Sequence, residues 1–262
     1  MNLILTLGVG LFTIIGAILV FLIKNENKDR FVNISMNLAV GVIITLLALD
    51  LLPEIWESLT KNFNTLYSVL IIIGFTTVGI FILKFLDKYV HNHDEHHTHE
   101  CKENYSHIGI VTGLAISLHN IIEGMAVYGM LTNNTSLGIK LIVGVGLHNI
   151  PLGIMLAGAF YKSNNSKLKT IINIIFISLT SFLGGLIMFA NLKLLMNDFV
   201  IAIMLLITNG MMIYIAFFEL LPHTIHTMKT KGNGKEKTKT IITILIGVIF
   251  IVATHFITGH HH

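Results

Sequence analysis

Apolar runs long enough to cross a bilayer recur along almost the whole chain, and no other feature restricts its fold as strongly. A transmembrane helix needs ~20 apolar residues to cross a hydrocarbon core about 30 Å thick. Such runs fall at roughly 1–23, 32–54, 65–86, 108–131, 138–161, 169–190, 199–223 and 240–258. With 53% hydrophobic and only 12% charged residues in 262, the chain is neither a disordered segment nor an ordinary soluble domain. Only three prolines interrupt it, as suits a mostly helical chain. The run from Leu3 to Ile23 lacks the basic start, short apolar core and cleavage site of a signal peptide, so it reads as a first span. The expected fold is therefore all-α, with eight transmembrane helices in a single domain over residues 1–262.

Positive residues assign the sides of the membrane. Of 17 lysines and arginines, only Lys61, Lys140 and Lys193 belong to one side; the other 14 lie on the loops and helix ends after spans one, three, five and seven. Cytoplasmic loops carry such an excess. Odd-numbered loops are thus expected in the cytoplasm and both termini outside, in a multi-pass protein of the plasma membrane. A net charge of +3 points to no nucleic-acid partner, and the single cysteine, Cys101, excludes an internal disulfide framework.

Two spans carry the same polar signature at their centres. One reads His119-Asn120-Ile121-Ile122-Glu123-Gly124, the other His148-Asn149-Ile150-Pro151-Leu152-Gly153. Each histidine lies roughly 15 Å into its span, about half the depth of the core. Ionisable groups at that depth are costly and mark ion or substrate paths. His119 and Glu123 are four apart and share one helix face. His148 supplies a second imidazole from the next, antiparallel span. Two imidazoles and a carboxylate suit zinc, and also iron(II), manganese, cobalt or cadmium. Asn120 and Asn149 can offer amide oxygens to the ion, or can serve as hydrogen-bonded glue between helices. Pro151 has no N–H, which leaves the carbonyl of Leu147 without its usual helical donor.

A second repeat, Asp50-Leu51-Leu52-Pro53-Glu54 and Glu219-Leu220-Leu221-Pro222-His223, is expected at the ends of spans two and seven. Related segments running in opposite directions are the mark of an inverted repeat. Asp50 and Glu54 would gather cations at the outer mouth, and Glu219 and His223 would release them at the inner one. The stretch at about 88–107 is expected to be a disordered cytoplasmic loop in which His91, His93, His96, His97, His99 and Cys101 capture metal weakly. No organic cofactor is expected, and a homodimer is compatible with the pattern. The terminal histidines 260–262 carry no assignment.

Eight spans, paired HN motifs in spans four and five, and a histidine-rich loop before span four resemble the ZIP (Zrt-, Irt-like) family, in the pattern of its bacterial ZupT/GufA-like branch. The resemblance covers almost the whole chain. It implies a three-plus-two-plus-three inverted-repeat bundle that imports zinc or related dications. It also implies that His119, Glu123 and His148 are metal ligands, with Asn120 and Asn149 at positions able to hold a second metal. The branch usually reads HNxPEG twice. Here Ile122 replaces the first proline and Leu152 the second glutamate, and Ser181 stands where span six often carries another glutamate. With both carboxylates missing, a mononuclear centre is expected. Two other functions fit parts of the pattern: a metal sensor or transport-inactive relative, suggested by Leu152 and Ser181, and an intramembrane metal hydrolase. The hydrolase would need a general base beside the metal, and the chain has no HExxH motif.

Overall fold

The structure is a computed structural model and describes residues 1–23, 28–91, 100–164, 166–190, 197–230 and 234–258. Among these residues eight helices are long and apolar enough to cross a membrane: α1 Asn2–Leu22, α2 Arg30–Thr60, α3 Thr65–Tyr89, α4 His107–Asn133, α5 Thr135–Ser163, α6 Lys167–Ala190, α7 Phe199–Thr230 and α8 Gly234–Phe256. The expected all-α, eight-span architecture is therefore present.

Several ends differ from expectation. The helix carrying α3 continues to His91, and the one carrying α4 starts at Glu100, so helix enters both sides of the stretch expected as a loop. His93, His96, His97 and His99 lie outside the described residues. The prolines do not end α2 and α7, which run on to Thr60 and Thr230. Asp50–Glu54 and Glu219–His223 are therefore inside helices rather than at their ends. The reason is local. Each proline opens a new α-helical segment, where its missing N–H removes no required bond. The turns before it widen into π-helix, over Leu47–Leu51 in α2 and Ile215–Leu220 in α7. Leu52 and Leu221 accordingly donate five residues back, to Leu47 and Ala216. Matched π-segments before matched prolines carry the inverted repeat seen in the sequence. They are also a form of helix that recurs at functional sites.

Glycines set the pairing of the helices. An added Cβ at Gly16 of α1 would run into the carbonyl of Ile150 in α5, and one at Gly153 of α5 into that of Thr13 in α1. The same reciprocal contact joins α4 and α6 through Gly124 and Gly184. It joins α2 and α8 through Gly41 and Gly247, and α3 and α7 through Gly79 and Gly210. Close backbone approach at small residues is how membrane helices pack without a hydrophobic drive between them. The pairs map onto one another under reversal of the chain halves. Gly124 and Gly153 each stand five residues after a signature histidine, and Gly41 and Gly210 each twelve before a signature proline.

One four-helix group and two helix pairs result. Interfaces of α4 with α5 and α6, and of α1 with α5 and α6, make one four-helix group. The α2–α8 and α3–α7 pairs flank it. Only 11% of the most apolar stretch of α3 and 17% of that of α8 is buried, against 61% in α4 and α5. The signature helices are thus central, and α3 and α8 present residues such as Phe81, Phe85 and Ile249 outward.

Candidate metal centre

A tight turn sets the register of α4 against α5. Asn134 joins them, and its Oδ1 accepts from the backbone N–H groups of Ser136 and Leu137 at 3.1 and 3.2 Å, capping α5. His119 is the thirteenth of the 27 residues of α4, and His148 the fourteenth of the 29 of α5. Antiparallel neighbours with such similar offsets bring their midpoints level.

The side chains converge on Glu123. Its Oε1 lies 2.8 Å from His119 Nε2 and 2.8 Å from His148 Nε2. The two imidazole centroids are 6.2 Å apart and tilted by 42°. His119 is 2% exposed and His148 8%, so neither is an ordinary solvated histidine. One ligand atom from each of the three residues falls within 4.8 Å of the others, close enough for a single cation to touch all three.

The two asparagines, alike in sequence, take different partners. Asn149 donates to Glu123 Oε2 at 3.2 Å and so fixes the carboxylate from its far side. Asn120 turns away and donates to the carbonyl of Ile177 on α6, also at 3.2 Å. Both are fully buried. Their Oδ1 atoms, and Ser181 Oγ, have no hydrogen-bond partner among the described residues. Pro151 sits inside α5, as expected, and Leu152 is buried.

The outlying residues fall into two kinds. Glu54 is exposed near the start of the α-helical segment after Pro53, while the Asp50 side chain lies outside the described set. His223 packs its ring edge-on to Tyr105, with centroids 5.4 Å apart. Glu219 joins a cluster that sequence reasoning missed. His107, at the start of α4, has Nδ1 3.6 Å from Glu219 Oε2 and Nε2 2.5 Å from Asp87 Oδ1 at the end of α3. Asp87 and His107 stand at the facing ends of two consecutive spans, the one signal that could have linked them.

Comparison with known proteins gives a consistent picture. A family profile described as ZIP Zinc transporter matches residues 90–255. The zinc transporter ZupT of Clostridium perfringens is 31% identical over 245 residues, 85% of this chain and 86% of that protein. The zinc transporter ZupT of Streptococcus mutans is 32% identical over 232 residues, covering 84% and 85%. That of Chlorobium phaeovibrioides is 33% identical over 230 residues, covering 84% and 86%.

Proposed function

We propose the following for a chain that belongs to the ZIP zinc transporter family: it imports zinc across the plasma membrane through a mononuclear site at His119, Glu123 and His148. It is a multi-pass membrane protein that transports divalent metal, zinc in the first place, and it is not an enzyme. The observation that carries the finer reading is the convergence of two buried imidazoles on one carboxylate, at the middle of two of the most buried helices.

The chemistry follows from these donors. A zinc ion in the triangle takes one nitrogen from each histidine and an oxygen from Glu123, which supplies one negative charge. The dication is then partly neutralised, held well enough to lose water and weakly enough to leave. Asn149 keeps the carboxylate aimed, the outer-shell support that metal ligands require. A second dication a few ångströms away would be uncompensated, because like charges repel strongly at low dielectric. Leu152 and Ser181 supply no charge against that repulsion. Iron(II), manganese, cobalt and cadmium share the same ligand preferences.

Zinc enters past Asp50 and Glu54 and leaves past Glu219 and His223 toward the histidine tract. The lysine asymmetry supports that placement of the two mouths, with both termini outside, whereas inward movement is what the likeness to the family implies. The glycine-locked groups are rigid units of the kind that alternating access moves against one another. The deciding experiment is zinc flux into proteoliposomes of purified protein, with other metals as competitors and at two pH values. Saturable inward flux supports the reading. Binding without flux would make the protein a sensor or a transport-inactive relative.

A further inference from the structure

We propose that Asn209, in α7, lies on the ion's path and passes the divalent cation to or from the midplane triad through its amide oxygen. Asn209 is fully buried, and neither its amide nitrogen nor its amide oxygen has a hydrogen-bond partner among the described residues. Turning the amide over changes nothing, because both ends are orphaned. The other buried asparagines of the described set are each bonded through one end. Asn37 accepts from Thr224, Asn120 donates to Ile177 and Asn149 donates to Glu123. An amide left buried and unpaired is costly, and polar groups kept at such cost within a membrane span mark ion or substrate paths.

Neither packing nor the repeat accounts for this amide. Thr208, beside it, gives its hydroxyl to the carbonyl of Met204 at 3.0 Å. Ala202, Leu205, Met212 and Ala216, at helical spacing along the same face of α7, are buried and apolar. The equivalent place in the inverted repeat is the residue before Gly41, and there stands Val40, also buried. An apolar side chain serves at that place in α2, so the amide is peculiar to α7.

Its level is that of the metal centre. Met204, earlier in α7, packs against the cluster of Met125, Tyr128 and Met188. As the fourth and seventh of eight consecutive spans, α4 and α7 run in opposite directions. The step of about 7.5 Å along α7 from Met204 to Asn209 therefore matches the step back along α4 from Met125 and Tyr128 to Asn120 and Glu123. An amide oxygen at that level is neutral. It can replace one water of a passing dication without holding the ion as a carboxylate does. Asn209 belongs to the α3–α7 pair, whereas His119, Glu123 and His148 belong to the four-helix group, so the handover crosses the boundary between them. The handover rests on the midplane reading; the place of Asn209 on the path does not.

Zinc flux across proteoliposome membranes and thermal unfolding of the same purified variants test this together. Asn209→Val writes into α7 the residue found at the equivalent place in α2, and Asn209→Ala guards against strain from the branched side chain. Both should lower maximal zinc flux roughly tenfold, the scale of one lost bond to a charged group. The melting temperature should stay the same or rise, because an unpaired amide has been removed. Amide oxygens suit Mn2+ better than the softer Cd2+. Mn2+ should therefore compete with zinc less well, relative to Cd2+, than in the unmodified protein, a change that a purely structural role would not produce. Normal flux or an unchanged ratio of Mn2+ to Cd2+ competition overturns the proposal. So does a lower melting temperature in both variants, which would reveal a structural partner for the amide. His119→Ala measured alongside keeps the two readings apart. If it retains flux while Asn209→Val loses it, the midplane reading fails and Asn209 stays on the path.

Discussion

The midplane centre and the cluster at the α3–α4 end use the same residue types in inverse proportion. One has two histidines around a single glutamate, the other one histidine between two carboxylates. They also differ in their supports. His119, Glu123 and His148 all lie on α4 and α5, which belong to one closely packed group of helices. Asp87, His107 and Glu219 straddle that group and the α3–α7 pair. A site built within one rigid unit keeps its geometry when units move, so it can travel with its ion. A site built across two units exists only in the arrangement that brings them together, so it can report on that arrangement.

The largest effect expected from breaking the contrast is at Glu123. Glu123→Ala and His119→Ala should each abolish saturable zinc flux while leaving a folded protein. Glu123 is the only carboxylate of the midplane group among the described residues, and its Oε1 faces both imidazoles. Near-normal flux from purified, correctly inserted His119→Ala protein would remove the midplane centre from the transport path.

A smaller loss is expected one step out from the ligands. Asn149→Ala removes the hydrogen bond on Glu123 Oε2 and nothing else that the structure gives to its Nδ2. Zinc affinity should fall roughly 10–100-fold, as for other outer-shell partners of metal ligands. The saturation curve of flux would show it as a shift to higher concentration. An unchanged curve would mean that helix packing alone aims the carboxylate.

Packing offers a test of the rigid groups themselves. Gly124→Val places a side chain against the backbone of Ser181, which cannot move aside as a flexible side chain would. A loss of about 1–3 kcal/mol is typical of forcing bulk into a packed interior. Gly74→Ala, where an added Cβ meets nothing within 4 Å, should leave thermal stability unchanged or raised. Equal melting temperatures for the two variants would show that α4 and α6 are not locked.

Much of this was readable in the residues, and the reasons for the remainder are physical. Lipid imposes length and polarity on a span, so all eight helices were visible in hydropathy, though their ends were not. Pro53 and Pro222 look like stops but act as starts, because a π-turn before each sets it at the opening of a new α-helical segment, where no N–H is required. The convergence of His119, Glu123 and His148 was legible because His119 and Glu123 share a helix and His148 lies at a similar offset along the next one. The Asp87–His107–Glu219 cluster was not, because its members meet only through tertiary packing of α3, α4 and α7. Small residues were visible as such, but the reciprocity of Gly16 with Gly153, or of Gly124 with Gly184, appears only in the fold.

The finest division lies between the two asparagines of the repeated signature. Periodicity treats Asn120 and Asn149 alike, one residue after each histidine. The fold sends Asn149 to the carboxylate and Asn120 to the carbonyl of Ile177. That carbonyl also accepts from Thr180 Oγ1 at 2.5 Å, so removing the Asn120 amide does not orphan it. Asn120→Ala should therefore cost only the modest value of one interhelical hydrogen bond in a membrane, about 0.6 kcal/mol. Zinc affinity should stay where it was, since no atom of Asn120 contacts Glu123 by a hydrogen bond among those described. Thermal unfolding and zinc titration of the same sample separate the two quantities. A fall in affinity as large as that of Asn149→Ala would place the Asn120 amide oxygen on the ion, and would return the two signatures to equivalent roles.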